Sequence, residues 1–221
     1  MERVPEPELM DQQAQAEAYA QADFSVPHQA FVDHFRRLFP AHAPRRILDL
    51  GCGAADISVR FARAWPQGQL TAIDGAPAML RCAQTAVRDA GLEARIVLHH
   101  LRLPDLAGIS RDFDTVISNS LLHHLHDPTV MWRAIQSLAL PGAAVLVMDL
   151  FRPPSREAVD ALVSAHAVAE PEILRRDFAN SLCAAFRPDE VRVQLRQAGL
   201  AFKVETVSDR HLLVHGMMPR A

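Results

Sequence analysis

A glycine turn and a distant carboxylate carry the chemistry most legible in this chain. Gly51-Cys52-Gly53 follows the largely apolar run Ile47-Leu48-Asp49-Leu50, and Asp74 closes a second run, Leu70-Thr71-Ala72-Ile73, 21 residues after Gly53. Glycine has no side chain, so such a turn lets backbone amides come close to a ligand. A strand-end acid about 20 residues further on is placed to accept the hydroxyls of a ribose. Together they predict a ligand that carries an adenosine ribose.

The third glycine position narrows the ligand. A dinucleotide fold uses G-x-G-x-x-G, the last glycine allowing close helix packing beside a pyrophosphate. Here that position is Asp56, whose charge opposes a diphosphate. The sequence has no G-x-x-x-x-G-K-[ST] to cradle a triphosphate. A ribose-bearing cofactor without phosphate fits better, and S-adenosylmethionine (SAM) is the common one. Leu48-Asp49-Leu50-Gly51-Cys52-Gly53 resembles the first motif of the class I SAM-dependent methyltransferases, and Asp74 matches that family's ribose-binding acid. Asn119-Ser120-Leu121-Leu122-His123-His124-Leu125-His126-Asp127-Pro128 resembles the segment after strand four in the small-molecule members, closest to the ubiquinone/menaquinone C-methyltransferase-like group. The absence of an Asn-Pro-Pro-Tyr or Asp-Pro-Pro-Tyr run argues against the amino-methylating DNA and protein-glutamine enzymes of that fold.

The elements that must position these residues alternate. Strands are predicted at about 46–50, 69–74, 95–99, 113–119 and 143–151, with helices at 55–65, 77–90 and after Asp127-Pro128 between them. Such alternation builds a doubly wound, mostly parallel sheet. Two closing strands, 202–207 and 211–215, form a hairpin around Ser208-Asp209-Arg210 and bring the sheet to seven strands, one of them antiparallel. The whole is a Rossmann-like α/β domain over 1–221. Residues 1–43 form an N-terminal helical lid, 44–221 the SAM-binding core, and about 152–186 a helical insertion. Within the lid, residues 1–9 are proline- and glutamate-rich and read as a loose arm. Ser25 reads as the cap of a helix with Pro27 in its first turn. Pro141-Gly142 reads as the stop of the helix after strand four.

In open α/β sheets the ligand lies off the carboxyl ends of the strands. That places Gly51, Cys52, Gly53, Asp74 and Gly75 on the cofactor, the glycines through their backbone. Asp49 either fixes the loop or reaches the cofactor's ammonium through water. Met79 either packs on adenine or fills the core. The resemblance implies an acid near adenine at the end of strand three. His100 stands there instead, followed by Leu101, so a ring nitrogen or the Leu101 backbone takes that contact. The resemblance also turns Asn119 and Ser120 toward the methionine end.

His124 is the candidate base or orienting group for the acceptor, and packing is the alternative. Tyr19 and Phe24 read either as an aromatic wall over the sulfonium, favourable by cation–π attraction, or as partly buried surface residues. Arg152, Asn180 and Arg210 are candidates for a polar group of the substrate. Three histidines in one segment raise a metal, but His123 and His124 are neighbours that do not readily share a face, and no HExxH or CxxC spacing supports one. No metal is expected.

The bulk properties agree. At 221 residues, 49% hydrophobic and net charge −3, the chain suits one soluble domain without a nucleic-acid-binding surface. Lys203 is the only lysine among 23 basic residues, a compositional bias rather than a patch. Three scattered cysteines, a polar acidic start and no long apolar run predict a cytoplasmic protein with no membrane span. The sequence does not choose between monomer and homodimer. The expected activity is methyl transfer from SAM to an O, N, S or C nucleophile of a small molecule. The alternatives are another use of SAM, with attack on a different sulfonium carbon, and a non-catalytic SAM- or NAD-binding module.

Overall fold

The structure, a computed structural model, describes residues 1–220. Seven strands form one sheet: β1 Arg46–Leu50, β2 Gln69–Asp74, β3 Ile96–His100, β4 Phe113–Asn119, β5 Ala139–Leu150, β6 Lys203–Thr206 and β7 His211–Met217. Their order is β3-β2-β1-β4-β5-β7-β6. Strands β1 to β5 are parallel, and β7 runs antiparallel between β5 and β6. The order reverses between β1 and β4. There the chain leaves β1 toward one side of the sheet and β4 toward the other, which opens the crevice where such folds take their ligand.

Eight α-helices cover the sheet: α1 Gln13–Gln21, α2 Ser25–Leu38, α3 Asp56–Ala64, α4 Pro77–Asp89, α5 Thr129–Leu138, α6 Arg156–His166, α7 Glu172–Ala184 and α8 Pro188–Gln197. One core, with Phe31, Phe35 and Phe61, lies where α2 and α3 meet one face. The other, with Trp132, Ile135 and Leu195, lies under α5 and α8. Central β5 is buried along its last eight residues, as its nearly continuous apolar run requires.

Three local expectations are corrected. Ser25 is the first residue of α2, not its cap; its own amide is held by the Asp23 carboxylate at 2.9 Å. Pro141-Gly142 does not end a helix. Helix α5 stops at Leu138 and the chain passes directly into β5, with Gly142 at φ +79° where only glycine is comfortable. Residues 1–9 are not loose. They run as a strap across the molecule, the Val4 amide donating to the Cys183 carbonyl at 3.0 Å. The Arg3 guanidinium donates to the carbonyls of Ala184, His123 and Leu125 and lies 3.9 Å from the Phe186 ring centre. One cation thereby satisfies three carbonyls left without partners by the turn and the helix end.

Candidate functional site

A cavity of about 340 Å³ opens at the carboxyl ends of the strands, a size suited to small molecules. Its lining follows the order of the sheet. On the β3 and β2 side stand Leu101, Arg102, Asp74, Gly75 and Met79. Asp49, Gly51, Cys52, Gly53, Asn119 and Ser120 line the middle. Toward β5 and β7 stand Met148, Leu150, Arg210 and His211, roofed by Leu174, Asp177, Phe178 and Ser181 of α7.

The turn after β1 and the acid after β2 form one unit. The amides of Gly51 and Cys52 both donate to the Ile73 carbonyl at 2.9 Å. The Gly53 amide donates to one Asp74 oxygen at 2.9 Å and the Ala76 amide to the other at 2.8 Å. An ionised carboxylate has about four acceptor positions, so each oxygen keeps room for one more donor, which is what a ribose diol offers. Burial pushes the Asp74 carboxyl above the usual carboxylate range, against the pull of these amides. Gly51 sits at φ +71°, and a Cβ there would lie 2.9 Å from a Leu121 methyl, so both backbone and space require glycine. At Gly53, φ +52°, nothing lies within 4 Å of such a Cβ, so this side of the turn is open to a ligand.

Asp49 is fully buried and receives the Ser58 hydroxyl at 2.5 Å. Burial raises its carboxyl to about 7, despite that hydrogen bond. The Asn119 side-chain oxygen is sealed from solvent and has no hydrogen-bond partner. A buried amide oxygen left unpaired costs free energy, so it is an acceptor that suits a donor group of a ligand, such as an ammonium. Ser120 beside it is held at φ +56°, a strained conformation for a residue with a side chain.

Tyr19 and Phe24 both line the cavity, with ring centres 4.7 Å apart. Burial pushes the Tyr19 hydroxyl up to about 12, so it stays neutral. Met79 lines the cavity while packing with Ala16, Ala76 and Ala78.

Three sequence expectations fail on placement. His100 points outward and sits 3.2 Å from the Gly75 carbonyl, outside the cavity lining. The adjacent Leu101, whose amide donates to the Asp74 carbonyl at 3.1 Å, is the residue that lines the cavity. Alternation along β3 explains this, since neighbouring side chains face opposite ways. Arg152 is buried away from the cavity and donates to the carbonyls of Met1 and Ala185 and to Glu190, so it fastens the strap and α8. Asn180 faces solvent on the outer side of α7.

His124 does line the cavity, but burial and the neighbouring His123 push it down to about 3, which makes it a poor base at neutral pH. The expectation that His123 and His124 face apart is also corrected. They share the single 3-10 turn Leu122–His124, their ring centres lie 4.2 Å apart, and both turn toward Glu6 of the strap.

Sequence reading missed His28, which lines the cavity with its Nδ1 2.7 Å from Asp56. Burial opposes the charged form of Asp56, yet His28 and Arg60 hold its carboxyl below the usual range. It also missed His166, Leu174 and Phe178, which no motif marks, and Glu8 and Leu9, hidden in the strap's disorder-like composition. His211, which the sequence puts beside Arg210 at the hairpin, on an edge that substrate can reach, lines the cavity with Nδ1 3.0 Å from the Ser208 hydroxyl. Burial and Arg210 push it down to about 4, so it is neutral at pH 7.

These features match those of known proteins. Residues 47–143 match the model of a methyltransferase domain family. The chain is 34% identical over 173 residues to a ubiquinone biosynthesis O-methyltransferase of Xanthomonas axonopodis pv. citri, covering 78% of this chain and 67% of the relative. It is 34% identical over 152 residues to a trans-aconitate 2-methyltransferase of Mycolicibacterium gilvum, covering 67% of this chain and 54% of that one. The chain thus spans about two thirds of the length of the first relative and about half of the second.

Among solved structures, the plantazolicin methyltransferase BpumL, in complex with a triazolic desmethylPZN analog and S-adenosylhomocysteine (SAH), superposes with TM-score 0.74 at 12% identity over 94% of this chain and 91% of that one. A SAM-dependent methyltransferase from Aquifex aeolicus gives 0.67 at 16% identity, over 94% and 98%. At such identities the structures establish the fold, and the curated relatives establish the kinship. The cavity's spare acceptor positions on Asp74 and Asn119 and its glycine turn fit SAM as the cofactor. Fold, cofactor site and relatives agree that this chain belongs to the class I SAM-dependent methyltransferases.

Proposed function

We propose that this enzyme methylates an oxygen of a small, largely apolar molecule, with the acceptor held between Leu150, Leu174 and Phe178. The observation that carries this reading is the division of the cavity. Its β2–β1–β4 part presents Asp74, the glycine turn and Asn119 to the cofactor. Its β5–β7 part sets the apolar side chains of Leu150, Leu174 and Phe178 among polar ones, Asp177, Arg210 and His211 included. The relatives that support the choice of oxygen are the ubiquinone biosynthesis O-methyltransferases.

SAM supplies an already activated methyl group for in-line displacement, so alignment and exclusion of water are the protein's main tasks. Asp74 takes the ribose hydroxyls, and Asn119 takes the ammonium through its unpaired oxygen. Met79 and Leu101 flank the adenine. Tyr19 and Phe24 close the cavity from the side of the N-terminal helices. His211 is neutral at pH 7 and accepts a hydrogen bond from the acceptor hydroxyl, which turns an oxygen lone pair toward the methyl group. As the C–O bond forms and the sulfonium C–S bond breaks to give SAH, the hydroxyl proton passes to His211 and on to solvent. Arg210, fixed by Asp209 at 2.9 Å, stands beside it for a polar substituent.

The test is incubation with SAM and a panel of phenols, catechols and hydroxy acids, read by mass spectrometry. A methyl ether or ester formed together with SAH is the expected result. Methylthioadenosine as product would instead establish a different use of SAM. Failure to bind SAM in calorimetry would overturn the reading altogether.

A further inference from the structure

The 3-10 turn after β4 and the strap meet in a cluster that the methyl-transfer reading does not use. His123 Nε2 lies 3.5 Å and His124 Nδ1 lies 3.3 Å from the same Glu6 oxygen. The ligand atoms of the three side chains all fall within 4.8 Å of one another. Glu6 and both histidines are largely withdrawn from solvent.

One ring nitrogen of each imidazole faces the Glu6 carboxylate. The Asp149 carboxylate, 2.5 Å from His123 Nδ1, engages that nitrogen and leaves Nε2 as the one turned toward Glu6. His124 turns its Nδ1 toward the same Glu6 oxygen. Its Nδ1 is sealed from solvent with no hydrogen-bond partner. Two imidazole nitrogens and a carboxylate therefore converge on one point.

The spacing identifies what fits. Ligands about 2.0–2.1 Å from a tetrahedral zinc ion stand about 3.4 Å apart along each edge, close to the two observed separations. Two imidazoles and a carboxylate are a known ligand set for zinc with an open fourth position. The Asp149–His123 pair has the form of the carboxylate support that orients a ligating histidine. Ser181 donates to the same Glu6 oxygen at 3.0 Å and fixes the carboxylate from behind. We infer that Glu6, His123 and His124 bind a divalent cation of the zinc class. His123 and His124 both line the cavity, so the site adjoins it.

The test uses the full chain, stripped with a chelator and titrated with Zn2+ against a chromophoric competitor and, separately, with Co2+. One Zn2+ per chain is expected, with the intense visible absorption of low-coordinate Co2+. Glu6→Gln and His124→Gln should each weaken Zn2+ binding at least tenfold, while His34→Gln on α2 should leave it unchanged. Glu6→Gln is nearly isosteric and lies on the strap, so it carries the test alone if the histidine variant misfolds. No stoichiometric binding, or binding that survives Glu6→Gln, overturns the inference. The first of these outcomes would mean that a shared proton, not a metal, reconciles the cluster. SAM binding measured on the same samples separates failure of the metal site from failure of the methyl-transfer reading.

Discussion

The Gly53 amide donates to Asp74 at 2.9 Å, so the glycine turn and the acid beside it hold each other in place across 21 residues of chain. Loss of either partner therefore disturbs both. Asp74→Ala should weaken SAM binding roughly 10- to 100-fold, the scale of about 1.5–3 kcal/mol for hydrogen bonds to a charged group. Calorimetry with SAM or SAH reads this directly, and an unchanged affinity would remove Asp74 from the ribose site.

The two glycines of the turn should respond differently to alanine. Gly51→Ala adds a left-handed backbone penalty of roughly 1–2 kcal/mol and drives a Cβ to 2.9 Å from Leu121. It should lower the unfolding midpoint and abolish tight SAM binding. Gly53→Ala meets nothing within 4 Å and should cost stability only through its φ. Ala55, three positions after Cys52 and itself at φ +66°, shows that this loop supports one such residue. Denaturant curves for the two variants check the contrast.

Asp49 predicts a pH dependence of stability. Its folded value of about 7 lies above the ordinary unfolded value near ~3.9. Between these values the folded protein keeps a proton that the unfolded chain has released. The stabilisation is thus complete below about pH 4 and is lost as pH rises through about 7, by roughly 4 kcal/mol if the full shift is realised. Asp49→Asn should flatten this slope. Urea unfolding at a series of pH values measures it, and parallel slopes in the two proteins would contradict the assignment.

Arg152 and Asn180 separate structural from exposed polar groups. Arg152→Ala leaves the Ala185 carbonyl and the Glu190 carboxylate short of a donor and should destabilise the fold by roughly 1–3 kcal/mol. Asn180→Ala, on the exposed side of α7, should stay within about 0.5 kcal/mol. Thermal melts distinguish the two, and acceptor KM should be unchanged by the second.

What was legible in the sequence tracks how local its cause is. The parallel sheet, its order reversal and the seventh, antiparallel strand follow from strand and helix periodicity, which neighbouring residues carry. Asp74, Gly51 and Asn119 could be placed because the fold puts strand ends at the site. His100 was misplaced by one residue of strand alternation, the difference between facing the cavity and facing water. Arg152 looks like a substrate anchor in sequence because nothing nearby reveals that it is buried against Met1 and Ala185, 151 and 33 residues away. The strap was unreadable for the same reason. Its prolines and glutamates suit an unstructured arm until Arg3 meets three distant carbonyls.

That strap also bears on how the protein can lose function without losing its fold. Leu9 sits over Gly75, so close that a Cβ on that glycine would lie 2.8 Å from a Leu9 methyl, and Glu8 and Leu9 form part of the cavity wall. None of the seven strands lies within the first ten residues. Trimming of that stretch by a protease would leave the sheet and both hydrophobic cores in place while removing one side of the ligand chamber. Such a nicked molecule would keep its strands but melt lower, because the carbonyls of Ala184, His123 and Leu125 lose Arg3 as their donor, and it would lose ligand affinity as well.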